Sequence, residues 1–475
     1  MGTGGHEGSG LARGAVGSAR VIAFGASNVA PAGSVVAGLV VVVSYAGFAS
    51  PLVVLIAFAS SLCCASSIAE FARRLPSAGS LYTYGSRGLG RTGGFLVGWM
   101  MVFAYVVYVP AGIALTSAYM ANLLAGALHV AVSARALFVV IVGVVALTAY
   151  LGIKTSSSMD LVLVVGEVAI IGALAVTILV SVGPADYSAA VLSPAASPNG
   201  QLTDITNATI YGITAFAGFE AATALGEEAR NTRRSIPAST IGVVVATGIF
   251  YLLVVLAEMF GVGRQGIPGF VRQGNPLGYL TSRYWSPSAI WAVELVVVLA
   301  GLGFVIATFN VAIRVLFAMG RERVLPGALA RLSRRRTPIV SIACVAAFAL
   351  VLGMPLTYRY GGARTFSYIA GAGGLSVVLV YLAVNIAVIG AFRAGFRDEF
   401  SPWRHLIVPA TASVLFLFPL WGILHPRAHQ IADLLHFTAL GWLAVGVIVA
   451  VILRTRRPES FGSLGRVFVP PDEAR

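Results

Sequence analysis

Charged side chains interrupt long apolar stretches of this sequence at Glu70, Glu167, Glu220, Glu258, Glu294 and Arg314. Glu220 follows Gly218 in the run Thr214-Ala215-Phe216-Ala217-Gly218-Phe219-Glu220. A carboxyl there either exchanges a proton or holds an interrupted backbone by accepting its N–H groups. Glu167 stands in a wholly apolar run, as an exchangeable proton site or as one end of an interhelical hydrogen bond. Glu70 is close to Arg73 and Arg74, which suits a gate or interface ion pair better than proton carriage. Arg314 either pairs with Glu227 or Glu228 as an inner gate or snorkels to the interface. Glu258 and Glu294, in the outer halves of their segments, are expected to reach the outer surface. Thr308 and Asn310 are candidate oxygen donors to a cation or proton site. Among the aromatics, Tyr108 and Phe216 are candidate caps over a bound molecule; Phe103, Tyr105 and Phe219 are further candidates.

The two breaks set beside these residues decide what could bind. Gly25-Ala26-Ser27-Asn28-Val29-Ala30-Pro31-Ala32-Gly33-Ser34 puts a proline among small residues in mid-segment. Proline removes a backbone donor and clashes with the preceding turn. Pro31 and Gly218 are 187 positions apart, as are the starts of the following segments at 51 and 238. Unwound backbone at membrane depth is tolerated only where it meets protein, a polar ligand or water. The start of a half-helix suits a carboxylate, and free carbonyls at a half-helix end suit an ammonium or a cation. A zwitterionic amino acid presents both groups.

The elements that carry these residues follow from composition. The 475 residues are 58% hydrophobic and 11% charged, with mean hydropathy +0.88. Soluble globular chains are about a quarter charged, so a soluble enzyme, a nucleic-acid binder and a disulfide scaffold are excluded. The net charge of +14 reads as positive loops on one side of a bilayer. Twelve apolar segments are expected, at about 20–46, 51–73, 94–125, 133–151, 157–182, 206–226, 238–262, 287–319, 338–356, 365–392, 406–424 and 432–453. These are too long for barrel strands, so they are helices. Loops on one side carry 24 Arg and Lys against seven on the other, with Arg314 inside a span. The positive-inside rule then places both termini in the cytoplasm. Lys154 is the only lysine and Ala, Val and Gly are abundant, which hints at a GC-rich bacterial source. Cys63, Cys64 and Cys344 and the six histidines have no metal-ligand spacing. No metal or cofactor is expected, and no intramembrane protease constellation or channel filter is present.

Three stretches resemble the amino acid–polyamine–organocation (APC) superfamily of permeases. Ala69-Glu70 through Arg74-Leu75-Pro76-Ser77-Ala78-Gly79-Ser80-Leu81-Tyr82-Thr83-Tyr84 resembles its signature after the second helix. Phe216 to Glu220, with Glu227-Glu228-Ala229-Arg230-Asn231 and Ile236-Pro237, resembles its sixth-helix motif. Arg314 to Arg323 with Leu325-Pro326 resembles the end of its eighth helix. The resemblance covers nearly the whole chain. It implies a LeuT-like fold and secondary transport of amino acids or close relatives. It also implies that Ala30, Pro31, Ala32, Gly33 and Ser34, with Phe216, Ala217 and Gly218, hold the substrate through backbone. Segments three, eight and ten would complete the pocket. Two departures stand out: Ala-Pro-Ala-Gly-Ser replaces a glycine-rich break, and Glu167 occupies the mid-segment-five position where some proton-coupled members place a lysine. Lys154 lies earlier, at the start of that segment.

The expected architecture is therefore an all-α polytopic membrane protein of about 12 transmembrane helices. It has a 5+5 inverted repeat with broken helices 1 and 6, plus two extra C-terminal helices. One transporter domain covers 19–453, with repeats at about 20–182 and 206–392 and the extra helices at about 406–453. Residues 1–18, disordered, and 454–475 form cytoplasmic tails. The expected function is a cytoplasmic-membrane permease for amino acids, proton-coupled, with an exchanger or a polyamine or organic-cation transporter as the alternative. A sodium-coupled form stays open, since Thr308 is a candidate ligand. The expected partners are a small amino acid substrate, H+ and the lipid bilayer.

Overall fold

A computed structural model of the chain describes residues 17–75, 80–152, 157–225, 231–273, 275–321, 323–424 and 431–456. The polypeptide is helical throughout these residues, with no strand among them. Twelve helices follow one another: α1 (18–46), α2 (Ser50–Arg74), α3 (Ser80–Ala127), α4 (Ala134–Leu151), α5 (Ser157–Val182) and α6 (202–225). Then come α7 (Thr232–Val262), α8 (Ile290–Arg321), α9 (339–360), α10 (Gly362–Ala394), α11 (403–424) and α12 (Ile431–Arg456). Two short helices, Ile267–Val271 and Pro276–Tyr284, lie between α7 and α8.

Among the described residues, ten stretches are long and apolar enough to cross a bilayer by themselves. One of them, Val21–Arg74, holds both α1 and α2, which turn into each other at Gly47-Phe48-Ala49. Helix α6 is not among the ten, because its regular part, Leu202–Phe216, is only 15 residues long. The chain is thus an all-α polytopic membrane protein. Of the expected tails, Ser18 already belongs to α1, and α12 continues to Arg456; residues 1–16 and 457–475 are outside the described residues.

Local sequence sets the helix ends. Proline occupies the first turn of α2, where no backbone donor is needed. Ser133 caps α4 by accepting the Ala136 N–H at 3.2 Å, and Gly152 closes it in the left-handed region at φ +68°. Helix α3 kinks at Gly90, φ +74°, which separates an interfacial first part from the membrane span. Exposed Val, Leu and Ile side chains concentrate on α4, α5, α9, α11 and α12, the faces that lipid covers.

Helix α3 lies along α10 and α8, and α2 lies along α7. The α3–α10 approach depends on small residues, as is usual between membrane helices. A Cβ at Gly362 would lie 2.3 Å from the Ala114 carbonyl oxygen. Helix α12 is fastened to α3 by a reciprocal pair. Trp99 Nε1 donates to the Trp442 carbonyl at 2.8 Å, Trp442 Nε1 donates to the Trp99 carbonyl at 2.9 Å, and the rings stack at 4.4 Å. Replacing Trp442 with Ala removes the stack and the bond to the Trp99 carbonyl, while Trp99 Nε1 keeps its acceptor on the residue 442 backbone, at a cost of about 3–5 kcal/mol. Trp442→Phe keeps the stack and loses one bond, at about 1 kcal/mol. Thermal melting in detergent is expected to rank parent above Trp442→Phe above Trp442→Ala.

Candidate functional site

The breaks in α1 and α6 face each other. The first half of α1 ends at Val29; Ala30 takes the left-handed conformation, φ +47°, and the helix resumes at Pro31. An L-residue there costs about 1–2 kcal/mol. The Ser34 hydroxyl donates to the Val29 carbonyl at 3.0 Å, satisfying one group freed by the break. Residues 35–39 then form a π-helical turn. Helix α6 leaves its regular path after Phe216, and Gly218 has φ +110°. A Cβ at Gly218 would lie 2.5 Å from the Asn28 carbonyl oxygen. The backbone of one break thus rests directly on the backbone of the other, and only glycine fits.

Glu220 holds this junction. It is buried and accepts the Gly218 N–H at 3.0 Å, the Tyr105 hydroxyl at 2.7 Å and the Tyr381 hydroxyl at 2.7 Å. Those donors come from α6 itself, α3 and α10. One carboxylate therefore ties the α6 break to two other helices. Its backbone carbonyl also accepts the Thr223 hydroxyl at 2.6 Å.

A cavity opens against the paired breaks. From α1 it is lined by Ala30, Gly33 and Ser34, from α6 by Ala217, Gly218 and Glu220, from α3 by Tyr108 and from α8 by Thr308. Phe304, Phe366, Leu115 and Val377 give it apolar walls, and Thr116 and Thr214 add hydroxyls. The Tyr108 ring meets Phe304 edge-on at 6.5 Å. Phe304 and Phe366 of the cavity, and Tyr381 behind Glu220, carry no signal in the sequence; only the packing of separate helices brings them here.

Other candidates lie elsewhere. Pro31 and Ala32 are buried in the α1 break but do not line the cavity. Phe216 is packed between Tyr251, at 5.2 Å, and Phe58, at 6.1 Å. Phe219 meets Tyr381 at 5.2 Å. Both rings wedge helices together rather than facing the cavity. Asn310 donates to the Ile306 carbonyl of its own helix at 2.8 Å. Arg314 is exposed and has no ion pair among the described residues, which exclude Glu227, Glu228 and Lys154.

Glu167 is buried on α5, and its carboxylate faces the Ala32 N–H at the start of the second half of α1. Its Oε2 has no hydrogen-bond partner among the described residues. Tyr251 is close to both Ser34 and Glu167, and its hydroxyl donates to the Ala215 carbonyl at 2.8 Å. Glu70 lies far along α2 at the cytoplasmic end of the predicted orientation. Arg73 approaches it at 3.1 Å, Arg74 at 3.3 Å, His405 at 3.3 Å and Arg404 at 3.9 Å. Arg74 also bonds Glu399. This ion-pair cluster joins α2 to the start of α11. Glu258 and Glu294, expected at the outer surface, are instead buried, because short helices cover that end of α7 and α8.

Two broken helices meeting beside one cavity, inside an all-helical bundle, define a transporter of the LeuT-like architecture. The profile of the amino acid permease family matches residues 21–425, and the chain belongs to that family. It is a transporter and not an enzyme. A branched-chain amino acid permease of Bacillus subtilis is 25% identical over 418 residues, covering 83% of each chain. A methylthioribose transporter of the same organism is 25% identical over 427 residues, covering 84% of this chain and 85% of its own. The fold is also that of a mutant of the Eremococcus coleocola manganese transporter, with TM-score 0.55 at 11% identity, over 90% of this chain and 94% of that one.

Gly218→Ala is expected to force the two breaks apart. The added Cβ meets backbone on α1, and the left-handed φ is strained for alanine. A loss above about 3 kcal/mol follows, read as a melting temperature well below that of Gly212→Ala, which has no left-handed φ and whose Cβ would lie 3.1 Å from the Ala57 methyl rather than 2.5 Å from backbone.

Proposed function

We propose that the chain is a proton-coupled importer of zwitterionic amino acids in the cytoplasmic membrane of a bacterium, with both termini in the cytoplasm. The observation that carries this reading is the pairing of the Ala30 and Gly218 breaks over one cavity. The second half of α1 begins there with Gly33 and Ser34, and a helix start favours a carboxylate. The α6 break offers backbone carbonyls to an ammonium. The walls from Leu115, Phe304, Phe366 and Val377 suit an apolar side chain. The branched-chain permease relative agrees with that substrate class.

Glu220 is the only acidic side chain lining the cavity among the described residues, and three donors already bond it. That disfavours a polyamine, whose two charges need free acidic partners. Glu220 then acts as the holder of the α6 break, and Glu167 as the proton carrier. Glu167 faces the same helix start that would receive the substrate carboxylate. Two negative groups at one helix start repel. Substrate binding therefore favours a protonated Glu167, and by linkage a protonated Glu167 favours substrate. That reciprocity is the coupling a symporter needs. Thr308 and Tyr108 serve as cavity walls, and the Glu70 cluster closes the cytoplasmic end. A single transporter domain of 19–453 comprises repeats at about 20–182 and 206–392 and added helices at about 406–453.

Uptake of a labelled amino acid panel into proteoliposomes, with and without an inward proton gradient, tests this. The parent is expected to accumulate a neutral apolar amino acid only with the gradient. Glu167→Gln is expected to retain exchange of internal for external substrate and to lose gradient stimulation tenfold or more, as a coupling of about 1.4 kcal/mol or above requires. Uptake driven by sodium, or only against internal substrate, would sink the proton-coupled reading. Glu220→Gln puts an amide N–H2 among three donors, so it is expected to lower melting temperature and substrate binding together.

A further inference from the structure

Glu258 is 1% exposed, and neither carboxylate oxygen has a hydrogen-bond partner among the described residues. It stands one turn before the end of α7, far along the chain from the broken helices and outside the cavity lining. The connection between α7 and α8 carries Arg264, Arg272 and Arg283; Arg264 bonds the Ala195 carbonyl, Arg283 lies over the Tyr284 ring, and none is ion-paired to Glu258 among the described residues. Tyr119 of α3 lies within electrostatic reach of both Glu258 and Glu294. Glu294 of α8, itself buried, accepts the Asn275 side-chain N–H at 2.7 Å. Asn275 in turn caps the short helix Pro276–Tyr284 by accepting the Gly278 N–H at 2.9 Å. Tyr284 of that helix donates to the Gly261 carbonyl on α7 at 2.7 Å, and Gly261 packs on Ile178 of α5. The neighbouring end of α5, the start of α2 and the short helix Ile267–Val271 carry no charged side chain. Glu258 thus shares the Tyr119 phenol with Glu294 and has no ion-pair partner among the described residues.

We propose that Glu258 is a proton-binding site, separate from the central cavity, which seals the junction of α3, α7 and α8 while it carries its proton. A carboxyl with four lone-pair positions and no donor would be an uncompensated buried charge, and such a charge is not tolerated in a packed interior. The neutral acid needs at most one partner and packs as a polar but uncharged side chain. Removing the proton leaves an unpaired negative charge buried beside Tyr119. The relief is entry of water, which parts the short helix Pro276–Tyr284 from α7. The loop cover over Glu258 and Glu294 is thereby a lid whose closure depends on one proton. That this end faces outward rests on the orientation proposed above; the site itself does not.

Thermal melting of the full chain in detergent, followed from mildly acidic to alkaline pH, tests the site without reference to transport or orientation. Ionising a group that the folded state holds neutral lowers stability as pH rises. The parent is expected to melt at progressively lower temperature on the alkaline side. Glu258→Gln and Glu258→Met, which cannot ionise, are expected to keep the parent's acid-side melting temperature throughout. An alkaline loss that persists unchanged in both variants overturns the proposal. So does a melting temperature below the parent's at acidic pH in both variants, or failure of both to fold, since a neutral buried acid is replaceable by a neutral side chain of similar volume. Restoration of the parent's alkaline stability by sodium or potassium ions, lost in Glu258→Gln, would show a cation site instead and also overturn it.

Discussion

The contact of two interrupted backbones is the constraint on which the rest depends. Every N–H and C=O freed from a helix at membrane depth must find a partner in protein. Here the partners are found locally: Ser34 returns to Val29, and Gly218 gives its N–H to Glu220. Gly218 can approach Asn28 only because it lacks a side chain. Once the two breaks touch, the cavity beside them is fixed in shape, and the residues of α3, α8 and α10 need only close it.

Glu220 makes that closure specific. Its three donors come from three helices, so the α6 break cannot move without disturbing Tyr105 or Tyr381. The α3–α10 pair is tightly packed through small residues, and α12 is bonded to α3 through Trp99 and Trp442. Helices α3, α10 and α12 thus form one body, to which the α6 break is tethered by two hydroxyls. The α1 break bears on a different partner, Glu167 of α5.

Much of this was legible in the sequence, because the bilayer imposes strong rules. Apolar length gave the helices, proline and glycine at Pro31 and Gly218 marked the breaks, and the rarity of buried charge singled out Glu220 and Glu167. What was not legible depends on which helix faces which. Tyr381 and Phe304 look like ordinary membrane aromatics until α10 and α8 are placed. Phe216 and Phe219 adjoin the α6 break in sequence, yet their side chains point away into helix packing. Glu258 shows the converse. Its position near a helix end suggested exposure, but the loop between α7 and α8 folds back as short helices and covers it.

The π-helical turn at Val35–Leu39 carries a consequence best put in genetic terms. Such a turn holds one residue more than an α-helical turn and commonly records a single-codon insertion. Removing one codon there would leave a regular helix with no lost hydrogen bond. It would also rotate everything from Val40 to Ala46 by about 100° relative to the break. Gly38, where an added Cβ would lie 3.2 Å from the Ala215 methyl, marks how closely this stretch packs on α6. The reading frame would survive and the helix would still cross the membrane, but its second half would present the wrong side chains to α6. In this stretch a deletion is therefore more damaging than most substitutions.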